Sequence, residues 1–298
     1  MNYKDFFNCR HPIVAAPMNQ VSDLNLAIAC YNAGIFPSLS LYNQVTNGKV
    51  DLDKSTRIIK DFQNSTGSAG ILLSLAIEDF FKLNVQEFII NNKISHLEII
   101  GDYDIVGSSK WHELSALMTI FKQNNTTTIL KALDSNNIDN SLDAVMLKGA
   151  LGAGRGMAHL DIDFELLKIK EKYPTVPVII SGGIGKPHEV KKYMNLGCMA
   201  VSIGTLLAAS EESCVSKETK ERMIQSSYDD VIRIKGVRQN ALMFGKVEND
   251  DYNNTNSLAK GIRNPTEGHI FAGKSINSVN EILPVKDIIE NLTKGLTF

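Results

Sequence analysis

VPVIISGGIGKPHEVKKYMNLGCMAVSIGT, residues 176–205, holds two apolar runs that each end in glycine, with a helical stretch between them. VPVIISGG reads as a strand over Val176–Gly183 and MAVSIGT as a strand over Met199–Thr205. Pro187–Leu196 reads as the helix joining them, with proline at its first position, where the missing N–H costs nothing. Strand, helix, strand is the repeating unit of a parallel sheet.

Working outward, the same alternation recurs. Further strands are predicted at His11–Met18, Ile35–Leu41, Ser68–Ala76, His96–Asp102, Thr126–Leu133 and Asp143–Gly149. Helical periodicity falls between strands, as at Leu24–Ala33, Ile77–Asn91, Lys110–Gln123 and Asp161–Tyr173. Eight alternations predict a TIM (β/α)8 barrel over residues 1–210, with a doubly wound sheet as the alternative. Beyond it the rhythm stops. SEESCVSKETKERMIQSS is charged and helical and VENDDYNNTNSLAKGIRNPTEGHIF is polar and turn-rich, so residues 211–278 are expected to form a small, mostly helical appended region. LPVKDIIENLTKGL, within residues 279–298, reads as an amphipathic helix closing on the barrel.

The chain has 298 residues, 31 basic and 33 acidic, for a net charge of −2. That balance gives no footprint for a nucleic-acid backbone or an anionic membrane, and points to a small-molecule partner. Cys9, Cys30, Cys198 and Cys214 show no metal-ligand spacing and no disulfide framework, so reduced thiols and no metal are expected. No stretch approaches the ~20 apolar residues that span a bilayer, and the N-terminus lacks a signal pattern, which leads to the expectation of a cytoplasmic protein, alone or as a homodimer.

In a barrel of this kind ligands sit at the C-terminal ends of the strands, and a phosphate commonly lies on the loops after the seventh and eighth. Those ends are ISGGIG, with Gly182 and Gly183, and VSIGT, with Gly204 and Thr205. Glycines let backbone N–H groups approach an anion, and a helix beginning at Thr205 adds its dipole. A tight structural turn is the other reading of the glycine pair.

Lys131 in ILKAL and Lys148 in MLKGA stand in apolar strands, so each faces either a ligand or solvent between the outer helices. KGALGAGRG, residues 148–156, has no long side chain between Leu151 and Arg155; it can run along a flat ligand that Arg155 helps to grip, or form a flexible surface loop. His159, close to this loop and to Asp161, is the one histidine carried forward as an acid or base.

With these residues in hand, the chain resembles the nitronate monooxygenase (2-nitropropane dioxygenase) family and the related flavin-dependent enoyl-ACP reductases. HPIVAAPMNQVSDLNLAIACYNAGIFPSLS is similar to the family's opening, VPVIISGGI and the strand-eight Gly-Thr to its central signatures, and KGVRQNALM and HIFAGKSINSVNEILPVKDIIENL to its C-terminal region.

The resemblance implies an FMN-dependent oxidoreductase. Pro17 and Met18 would lie against the flavin ring, Ala153 and Gly154 along its edge, and Gly182, Gly183, Gly204 and Thr205 around its phosphate. Lys131 and Lys148, from their own placement in apolar strands rather than from the resemblance, are expected to tune such a ring. Where the family has glutamine and a terminal Gly-Gly-His on strand six, this chain has Lys148, Gly154 and Arg155. The family histidine removes a proton from substrate, which an ever-protonated arginine does not. Arg155 is therefore expected to favour an anionic substrate over a neutral one. A second departure is Leu72, where the resemblance implies an asparagine facing the flavin. Two other classes stay open: a non-catalytic protein that binds FMN or another phosphate ligand, and a flavin-free barrel enzyme acting on a phosphorylated metabolite through a lysine.

Overall fold

A computed structural model describes residues 2–46, 49–81, 85–101, 108–132, 134–136, 138–155, 161–234, 239–244 and 255–298. Each expected barrel strand is present inside the run that predicts it: β1 Ile13–Ala15, β2 Ser38–Ser40, β3 Leu72–Ala76, β4 His96–Ile100, β5 Thr127–Ala132, β6 Ala144–Lys148, β7 Val178–Ser181 and β8 Ala200–Ile203. From β2 to β8 every strand pairs in parallel with the next, and β8 pairs with β1 through Ile13–Val201, Val14–Ser202 and Ala15–Ile203. A parallel bridge from Val14 to Phe36 closes the ring, which excludes the open doubly wound sheet.

Helix starts follow from local chemistry. Asp23 caps the helix Leu24–Asn32 by accepting from the Leu26 N–H, and Asp161 caps Ile162–Lys172 by accepting from Asp163 and Phe164. Before the helix Pro187–Asn195, the Glu189 carboxylate accepts from the N–H groups of Gly185 and Lys186 at 2.8 and 3.0 Å, tying the end of β7 to the helix that follows it.

Two apolar layers result. The larger lies between strands and helices; the smaller fills the lower barrel with Val14, Phe36, Leu72, Ile129, Met146 and Ile179. The short helix Tyr3–Phe7 plugs that end, its Phe7 ring 4.7 Å from Phe36 and 5.2 Å from His96. His96 Nε2 lies 3.0 Å from the Phe6 carbonyl and its Nδ1 3.0 Å from the Ser95 hydroxyl. Burial drives its pKa down from 6.5 to about 4.

An unfolded chain binds this proton below about pH 6.5 and the folded one only near pH 4, so acid between those limits favours unfolding. Lowering the pH from about 7 to about 4.5 should cost roughly 2–3 kcal/mol through His96 alone. Urea unfolding of wild type and His96→Gln at both pH values tests this; an equal acid loss in the two proteins would contradict it.

Alongside its helices Lys217–Ile224 and Thr255–Arg263, the appended region carries an antiparallel sheet of Val231–Ile234, Gln239–Phe244 and Gly268–Phe271 that its polar sequence does not signal. The middle strand also pairs with Gly154–Arg155, bringing the loop after β6 into this sheet. The last helix, Val285–Thr293, packs on the barrel helices Leu24–Asn32 and Pro187–Asn195. Among the described residues no helix is long and apolar enough to cross a membrane.

Candidate functional site

The C-terminal ends of the strands surround a cavity of about 300 Å³. All ten residues singled out for cofactor contact line it: Pro17, Met18, Lys131, Lys148, Ala153, Gly154, Gly182, Gly183, Gly204 and Thr205. Of the catalytic candidates, Lys148 lies at the cavity; Arg155 has a described backbone but its side chain, like all of His159, lies outside the described residues.

Gly182 and Gly183 have φ of +111° and +76°, values that side chains on L residues resist. Space enforces glycine as well. A Cβ on Gly182 would stand 2.8 Å from the Gly152 Cα, and one on Gly152 would meet both Gly182 and the Lys148 side chain at 2.8 Å. The two loops thus touch backbone to backbone. Gly204 precedes the short helix Thr205–Ala208, whose first N–H groups lack intrahelical acceptors, and the Thr205 hydroxyl accepts from the Gly273 N–H at 3.2 Å.

The loop after β6 is pinned through Arg155. The Asn240 amide donates to the carbonyls of Ala150 and Gly152, both at 2.7 Å, and the Lys274 N–H donates to Leu151 at 2.8 Å. These bonds and the pairing of Gly154–Arg155 with Gln239 and Asn240 tie the loop to the appended region.

Beneath the cavity the alternation of β4, β5 and β6 sends charged side chains inward. Lys131 pairs with Glu98 at 3.2 Å, and the opposite Glu98 oxygen accepts from the Ser74 hydroxyl at 2.5 Å. Lys148 Nζ donates to the Ala153 carbonyl at 2.5 Å. Both lysines face inward, so the outward reading fails for each. Burial first, then the neighbouring Lys131 cation, lowers the Lys148 pKa to about 7, while Glu98 pulls it back up.

Leu72 requires a correction. It sits in the inner apolar layer with Ile129 and Met146, and the β3 residue that reaches the cavity is Ala76, four positions further along. Same-face residues recur every second position, so a strand's inward set spans the full depth of the barrel.

Glu98, Asn240 and Ser202 were not anticipated. Ser202 lines the cavity with a buried hydroxyl that has no hydrogen-bond partner among the described residues. From the appended region, Leu258, Ile270 and Phe271 add an apolar wall. Among the described residues no cluster of His, Cys, Asp or Glu is placed to hold a metal.

Comparison with known proteins adds to this geometry. The family model for nitronate monooxygenase matches residues 114–295. FabK from Thermotoga maritima superposes with a TM-score of 0.81 at 21% identity, over 98% of this chain and 94% of that one. A nitroalkane oxidase from Streptomyces ansochromogenes superposes at 0.72 and 17% identity, over 97% and 96%. At these identities the superpositions speak for the fold.

Among curated sequences, a putative N-acetylmannosamine-6-phosphate 2-epimerase of Pediococcus pentosaceus is 32% identical over 111 residues, 34% of this chain and 48% of that protein. A thiazole synthase of Porphyra purpurea is 39% identical over 67 residues, 22% of this chain and 23% of that protein. The chain thus spans less than half the length of these curated relatives. With the family model matching well over half of the chain, the protein belongs to the nitronate monooxygenase family.

Proposed function

We propose that the protein is an FMN-dependent oxidoreductase that acts on a small anionic substrate at the cavity above Lys131 and Lys148. The observation that carries this reading is the joining, in one cavity, of the glycine cradle at Gly182 and Gly183, the Gly204–Thr205 helix start, and two lysines beneath. The donor set fits a phosphate-bearing cofactor: backbone N–H groups freed by glycine, a helix start, and the unpartnered Ser202 hydroxyl.

Gly182, Gly183, Gly204 and Thr205 would hold the phosphate, and Pro17, Met18, Ala153 and Gly154 would border the ring. When bound, FMN supplies hydride or electron transfer. With Lys131 matched by Glu98, the Lys148 amine, once protonated, supplies the positive charge that meets negative charge at the cavity floor. Leu258, Ile270 and Phe271 cover the cavity with apolar surface that excludes water. Pairing of the Gly154–Arg155 backbone with Gln239 and Asn240 fixes where the guanidinium starts from. Arg155 stays protonated, so it orients an anion and takes no proton; a substrate that arrives already as an anion needs no base.

The test is turnover of an alkyl nitronate under air, and of NADH or NADPH with electron acceptors, by the FMN-loaded chain. Arg155→Ala is expected to abolish turnover of the anionic substrate with FMN still bound. Unchanged kinetics in that variant would remove Arg155 from the account.

A second reading is favoured by two observations: the depressed pKa of Lys148 and the similarity to a protein named for a sugar phosphate. In it the Lys148 amine reacts with the carbonyl of a phosphorylated metabolite. Borohydride trapping of a carbonyl substrate on Lys148 would move this reading ahead of the flavin one.

A further inference from the structure

We propose that Lys148, where it stands as the neutral amine, takes up a proton when the cofactor in this cavity is reduced, so that its ammonium offsets the negative charge that reduction adds. The proposal rests on the FMN reading above. Its grounds are the three charged side chains under the cavity floor and how their charges match.

Glu98, fully buried on β4, is matched by Lys131 of β5 at 3.2 Å, and Ser74 of β3 donates to its other oxygen. That pair is neutral as a unit. Lys148 of β6 is left over. It is 8% exposed and donates only to a neutral carbonyl, that of Ala153, at 2.5 Å among the described contacts. On its other side β7 contributes Ser181, which carries no charge. Tyr42 is the one other ionisable side chain among the described residues lining the cavity, and its hydroxyl donates to Asp79 at 2.6 Å. No described acid besides Glu98 faces Lys148.

A second ammonium in this enclosed space therefore lacks a counter-charge, in keeping with a Lys148 pKa near 7 set by burial and by Lys131. A negative charge arriving in the cavity that Lys148 lines reverses the balance and favours the protonated amine. Reduction by a nicotinamide-type hydride donor delivers two electrons and one proton to FMN and leaves it an anion. A second proton then moves from solvent to the Lys148 amine, –NH2 becoming –NH3+. Two protons accompany two electrons wherever Lys148 starts neutral, and one accompanies them where it starts charged.

The test is a spectroelectrochemical titration of the FMN-loaded full chain between about pH 6 and about pH 9, for wild type, Lys148→Met and Lys148→Arg. Above about pH 7 the wild-type potential should fall with pH twice as steeply as in either variant. Lys148→Arg, permanently charged, should also lie at a higher potential than Lys148→Met throughout. If Lys148→Met fails to load, Lys148→Arg alone decides the slope. A common slope with flavin retained overturns the proposal and leaves the FMN reading standing. A wild-type chain that keeps no flavin in its visible spectrum overturns the FMN reading itself, and this proposal with it.

Discussion

Gly182→Ala should weaken FMN binding by about 100-fold. The alanine must adopt φ near +111° and place its Cβ 2.8 Å from the Gly152 Cα, with backbone rather than a yielding side chain in the way. Strain of this kind costs ~1–3 kcal/mol, and overpacking a similar amount. In the free variant the added Cβ pushes the two loops apart. Phosphate binding must bring them back together, so about 3 kcal/mol appears as lost affinity. Fluorescence titration of FMN measures it. Gly67→Ala is the control: its φ is +66° but a Cβ there meets nothing within 4 Å, and it lies away from the cavity. That variant should lose stability and keep its affinity, whereas equal affinities for both variants and wild type would remove Gly182 from the phosphate site.

Glu98→Leu is expected to lower the melting temperature by roughly 10 °C. Removing one member of a buried pair leaves an uncompensated charge, a loss of ~3–5 kcal/mol, and a domain of this size loses ~2–4 °C per kcal/mol. Here the loss strands Lys131 and leaves Lys148 with a bare cation as neighbour. The remedy distinguishes charge from packing. Adding Lys131→Met to Glu98→Leu should recover most of the stability, because both charges of the pair are then gone. A double variant as unstable as the single one would show that Glu98 matters for its shape. Differential scanning calorimetry of the three proteins gives the answer.

The barrel was legible because each buried strand is a short apolar run followed by a capped helix, and eight of them leave little choice of architecture. Strand ends were less so. The apolar run around β1 extends over His11–Met18, while pairing covers Ile13–Ala15, since Pro17 and Met18 turn into the cavity wall. The glycine cradle could be read because Gly182 and Gly183 stand at a strand end where positive φ is needed.

Direction was harder. Period-two alternation puts His96 and Glu98 on one face of HLEII, a signal for the buried acid that was present in the sequence. Which face points inward, and how deep, depends on closure of the ring; this is why Leu72 fell in the lower layer and Ala76 at the mouth. The Asn240 clamp joins residues 88 positions apart, from Asn240 to Gly152, and no local pattern encodes such a contact.

The central claim is that the cavity holds FMN, and an absorption spectrum of the purified chain, incubated with FMN and then desalted, tests it most directly. Retention of bands near ~370 and ~450 nm, at about one flavin per chain, is the predicted result. A colourless protein after desalting, with its fold intact by circular dichroism, would contradict it.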